Sequence, residues 1–126
     1  MARRLPFLPE LAATGRYVEV SASLMPYFVV VRERSSAWNW SVPMRRQAEW
    51  DAHAAFMDAL DTEGFIVAGG PLGTEDTAQR VMHVVNAPDP ETIEAHMAAD
   101  PWTPMQLLKT VSIEPWTVLL GGFRER

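Results

Sequence analysis

The chain contains no cysteine in its 126 residues. Disulfides, thiol nucleophiles and cysteine-built metal sites are excluded, and the composition fits a reducing, cytoplasmic setting. Apolar runs of the length needed to span a bilayer are missing, so no membrane partner is expected. Basic residues are scarce. Eleven Lys and Arg stand against sixteen Asp and Glu, a formal charge of -5, whereas a nucleic-acid partner requires a basic face. There is no GxGxxG, P-loop or HExxH pattern, which removes the motif basis for nucleotide or zinc-hydrolase chemistry. Ser35, Ser36 and Ser41 sit outside any nucleophile-elbow motif. His53, His83 and His96 lack a compact ligand spacing, and neither internal repeats nor low-complexity segments occur. Near the N-terminus, Pro6 and Pro9 break what would otherwise read as a signal-peptide core. Met25 immediately precedes the first convincing strand, so residues 1–24 read as a disordered or dispensable extension, or as an over-called start, ahead of one domain over 25–126.

What is present is an apolar content of 48%, enough for one compact domain with its own core. Pro26–Arg32 is β-branched and aromatic, which predicts a first strand. Arg32–Pro43 reads as a loop carrying Trp38 and Trp40, two aromatics that either cover an edge or wall a planar ligand. A helix is expected to begin between Met44 and Glu49 and to end at Gly64, a residue suited to a left-handed cap. At about 100° per residue, His53, Phe56, Met57 and Leu60 share one side of that helix, while Asp51, Asp58 and Thr62 share the other. The imidazole thus lies within the apolar stripe that meets the rest of the fold.

Phe65–Gly70 predicts a second strand, and Gln79–Val85 a third that pairs with it across a turn-rich segment, 69–77. Asp89 suits an N-cap, Pro90 the first turn and Glu91 the positive end of a second helix. That helix must stop near Ala99, because Pro101 disfavours helical geometry just before it. A turn or short helix follows over Trp102–Leu108. Thr110–Leu120 predicts the last strand, with Pro115 marking a break, edge or bulge.

The order is strand, helix, strand, strand, helix, strand. This is the α+β, ferredoxin-like βαββαβ pattern, a four-stranded antiparallel sheet with two helices on one face. Tyr27–Val31, Phe65–Ala68 and Val118–Leu120 are apolar at consecutive positions, as expected where both sheet faces are buried. The helices cover only one, so a homodimer with its two sheets face to face is expected.

Ile93 and Met97 define the inner side of the second helix, and Asp100 follows on the same side. One imidazole and one carboxylate are therefore directed toward the same side of the sheet. A carboxylate that orients an imidazole makes a general base or acid. Burial lowers the imidazole pKa and the carboxylate raises it. Gly69 and Gly70 let backbone approach a ligand closely, or simply form a hairpin turn.

His53 in its helix, Gly64-Phe65, Gly69-Gly70-Pro71-Leu72, Ala99-Asp100-Pro101-Trp102 and Ile113-Glu114-Pro115-Trp116 occur in this order. Together they resemble the YCII-related (YciI-like) family over about residues 26–120. The resemblance implies a ferredoxin-like subunit of a dimeric α/β barrel, with an active site built on a His and an Asp that match His53 and Asp100. One branch of that family removes chloride from a chlorinated hydroxyquinol without a cofactor. The expectation is a cofactor-independent enzyme of small cyclic or aromatic molecules: a lyase, isomerase or dehydrochlorinase. His53 and Asp100 would carry the proton chemistry, and Trp38, Trp40, Gly69, Gly70, Pro71, Leu72 and Trp102 would shape the pocket. The alternative is a dimer that binds a small ligand without turning it over.

Overall fold

Burial alternates strictly along the first strand, β1 (Tyr27–Arg34): Phe28, Val30, Arg32 and Arg34 are buried, and Tyr27, Val29, Val31 and Glu33 are half-exposed. That period of two sets the two faces of the sheet. The computed structural model describes residues 25–123, so the segment expected as an N-terminal extension lies outside the described residues. The remaining elements are helix α1 (Trp50–Thr62), strands β2 (Ile66–Pro71) and β3 (Arg80–Asn86), helix α2 (Pro90–Ala98) and strand β4 (Leu108–Trp116). The strands form one antiparallel sheet in the order β2-β3-β1-β4. This is the ferredoxin-like arrangement, with both helices packed on one face. Phe28, Val30 and Val85 from the sheet meet Leu60, Ile93 and Met97 from the helices in a single core.

Several boundaries differ from the sequence expectation. β1 runs to Arg34 because it is paired on both sides through its last residues, and its two guanidinium groups find partners inside. α1 starts only at Trp50, after a separate single turn over Met44–Arg46 and a left-handed residue, Glu49 (φ 59°). Gly64 does end it in the left-handed region, at φ 83°. β4 stops at Trp116, and Leu119 and Leu120 are 85% and 90% exposed. Apolar character at 118–120 therefore does not signal strand. Pro115 is tolerated inside β4 because this is an edge strand, where a missing N–H can face outward.

Two irregularities in the sheet set the positions of polar side chains. Between the Ile66–Val85 and Ala68–Val84 pairs, β2 carries one extra residue, Val67. The bulge shifts the phase of β2 by one, so that Gly69 rather than Ala68 stands opposite His83. A second shift, between Val31 and Arg32 against β4, lies where β1 presents Arg32 to the helix side.

Candidate active site

Asp100 lies just past α2, completely buried. Arg32 Nη1 donates to its Oδ2 at 2.7 Å, and the Trp102 amide donates to Oδ1 at 2.9 Å. His53 Nδ1 lies 2.9 Å from Oδ1 and 3.1 Å from Oδ2. Burial by itself raises a carboxyl pKa. Here the hydrogen bonds from His53 and Arg32, helped by the Trp102 amide, outweigh it and hold Asp100 below its ordinary 3.8. An ionised carboxylate only accepts, so Nδ1 of His53 carries a proton and donates to Asp100, which leaves Nε2, at the other side of the ring, as the nitrogen free to exchange a proton.

The carboxylate is anchored in turn. Arg32 Nη2 donates to Thr103 Oγ1 at 2.6 Å, and that hydroxyl donates to the Met97 carbonyl at 2.6 Å. Aromatic rings fix the imidazole. The Trp102 indole stacks on His53 with centroids 3.8 Å apart and planes 5° from parallel. Its Nε1 donates to the Ala48 carbonyl at 2.7 Å, which ties the approach to α1 to the turn after α2. Trp38 meets Trp102 edge-on at 5.4 Å, and Trp50 flanks both His53 and Trp102 at 5.8 Å.

His53 opens on a cavity of about 470 Å³ between α1, this aromatic cluster and the β2–β3 edge of the sheet. The volume falls within the roughly 300–1,000 Å³ of small-molecule sites. Trp38, Trp102, Gly69, Gly70 and Pro71 line it, as does His53; Asp100 stands behind the imidazole, out of the cavity. Two expected wall residues are placed elsewhere. Trp40 is 52% exposed, lying against Trp38 with the Arg34 guanidinium 5.9 Å from its ring, and it does not line the cavity. Leu72 is 40% exposed beyond the end of β2. A larger groove of about 640 Å³ between α2 and β4 contains neither histidine nor a buried ion pair, and carries no comparable chemistry.

Sequence reading missed Arg32, Arg34, Trp50 and His83. Arg34 is buried, its Nη1 and Nη2 donate to the Ala78 and Glu75 carbonyls at 2.8 and 2.6 Å, and its guanidinium lies 4.2 Å over the Trp38 ring. His83 enters the cavity wall from β3, 6% exposed, with neither ring nitrogen bonded. Burial first, then the Arg32 charge and His53, push its pKa down to about 4. A buried polar group left without a partner costs about 1–3 kcal/mol. Once Phe28, Val30 and Val85 are known to be core, spacing by two along β1 and β3 leads to Arg32, Arg34 and His83, whereas Trp50, on a helix, has no such signal. Among the described residues no three His, Asp or Glu side chains gather in a metal-binding group.

The model of the YCII-related domain matches residues 25–117. The chain belongs to the YCII-related family. Among solved structures, this YCII-related chain is similar to 5-chloro-2-hydroxyhydroquinone dehydrochlorinase from Burkholderia phenoliruptrix AC1100, in complex with 2,5-dihydroxybenzoquinone. The identity is 22% and the TM-score 0.54, with 71% of this chain and 93% of the other covered. At that identity the likeness speaks for the fold. A search of curated proteins gives no match. No helix among the described residues is long and apolar enough to cross a membrane.

Proposed function

We propose that this YCII-related protein is a cofactor-independent enzyme that moves a proton on a small hydroxylated ring. One observation carries the reading: a stacked imidazole, bonded through Nδ1 to a buried carboxylate, lines a ring-sized cavity. In the proposed step Nε2 takes the proton of a ring O–H. That proton is returned to the ring carbon bearing the leaving group as the O–H electrons form a carbonyl and the ring electrons shift. A second ring O–H then gives its proton to Nε2, its electrons form a second carbonyl, and a leaving group such as chloride departs from the now tetrahedral carbon with its bonding pair. The products are the unsaturated carbonyl compound, chloride and a proton on His53, so no oxidant is needed. Asp100 holds the tautomer and offsets the charge that appears on the imidazolium, as paired carboxylates do. The solved relative named above, which acts on a chlorinated hydroxyhydroquinone, supports this choice of substrate class.

The reading includes a homodimer. Tyr27, Val29 and Val31 form a half-exposed apolar row on the sheet face away from the helices, and a second copy would cover it. Residues 25–126 would be the unit that assembles.

The test is turnover of 5-chloro-2-hydroxyhydroquinone by the wild type and by His53→Asn, followed by chloride release. General acid–base catalysis contributes about 10²–10⁴-fold, so the variant should lose at least about a hundredfold in kcat while its thermal midpoint stays close to wild type. Binding without turnover by the wild type would reduce the chain to a ligand-binding dimer. Undiminished turnover by the variant would remove His53 from the chemistry.

A further inference from the structure

His83 and Gly69 are register partners on the helix-facing side of the sheet, across the cavity wall from His53. A Cβ at position 69 would lie 2.6 Å from His83 Nδ1 and 3.3 Å from the Met82 carbonyl, so the glycine is what admits the ring. The bulge at Val67 is what places that glycine there. The fold thus makes room for an imidazole whose nitrogens then bond to nothing among the described residues. In a merely structural position, an apolar side chain of the same size would pack without orphaned nitrogens. The surroundings also restrict what could satisfy it. Arg34 lines the same cavity and Arg32 is buried nearby, which disfavours a cationic ligand group and favours oxygen.

Resting on the function proposed above, we propose that His83 is a specificity-determining ligand contact: a neutral imidazole that hydrogen-bonds a second oxygen of the ring presented to His53. The substrate class is thereby narrowed to rings that carry oxygen at two or more positions. His53 works on one oxygen from the helix side, and His83 holds another from the sheet side. Trp38, Trp50 and Trp102 supply apolar walls for the ring between them.

The experiment titrates full-length wild type, His83→Leu and His83→Gln with 2,5-dihydroxybenzoquinone and with phenol, and records the thermal midpoint of each. One neutral hydrogen bond corresponds to about a five- to tenfold change in affinity. His83→Leu should therefore bind the dihydroxyquinone about five- to tenfold more weakly, with phenol affected less. Its thermal midpoint at pH 7 should equal or exceed that of wild type, since the orphaned nitrogens are gone. His83→Gln should recover part of the affinity. Equal affinity of wild type and His83→Leu overturns the proposal and leaves the His53 chemistry standing. A lowered midpoint with lost binding makes His83 structural and also overturns it. If wild type binds neither compound, this proposal and the choice of hydroxylated rings fail together.

Discussion

Asp100 accepts hydrogen bonds from three groups on two oxygens, and this makes substitutions on either side of it differ in kind. Asp100→Asn leaves the Arg32 guanidinium buried without a counter-charge, and breaking such a pair costs about 3–5 kcal/mol. His53→Asn removes a ring at the cavity edge and should cost about 1 kcal/mol, typical of point substitutions. Urea midpoints of the two variants check the contrast. His83 gives the residue-scale pH dependence. Its folded pKa of about 4 lies below the ordinary 6.5, so the unfolded chain binds the extra proton first as pH falls. The stability linked to His83 is present above pH 6.5 and lost as pH drops toward 4. That interval is worth about 3 kcal/mol, and His83→Leu should flatten the corresponding decline in unfolding free energy between pH 6.5 and 4. Asp100, whose pKa is also lowered, adds a loss at more acid pH, as the solution falls below 3.8 and through its folded value. Of these residues, His53 and Asp100 could be placed from helical spacing alone. Arg32, Arg34 and His83 could not, because a run such as Tyr27–Val31 is apolar at every position and hides which phase faces inward.

The elements differ in how openly their ends are written. α2 begins where the side chain of Asp89 accepts from the Thr92 amide at 2.8 Å and its hydroxyl at 2.7 Å, with Pro90 next. All of that is local chemistry. Asp89→Ala should cost about 1 kcal/mol, measurable as a lowered thermal midpoint without change in ligand affinity, because α2 does not line the His53 cavity. α1 has no side-chain cap: the left-handed Glu49 precedes it, and the Ala48 carbonyl just before that residue is held by Trp102 Nε1. That partner is distant in sequence, and with no cap residue the first turn of α1 could not be read locally. The loop of Trp38 is closed at the surface by Arg45 and Glu75, whose exposed ion pair at 2.8 Å contributes little. Its fixed geometry comes from Gln47, whose amide group bonds the Asn39 backbone in both directions.

For the whole molecule, the proposed dimer makes the sharpest prediction. Val31→Glu places a charge on the half-exposed sheet face without touching the cavity. The wild type should sediment as a dimer and the variant as a monomer. A wild-type monomer at micromolar concentration would sink the face-to-face assembly. The sequence alone determined the succession of six elements, the placing of both helices on one sheet face, and the inward direction of His53 and Asp100, because periodicity and capping are short-range properties. Only the tertiary structure decided that Arg32 neutralises Asp100, that Trp102 stacks on His53, and that a bulge sets Gly69 against His83. Those contacts join residues far apart in the chain, 68 positions in the case of Arg32 and Asp100. They depend on strand register and bulges, which no local pattern encodes.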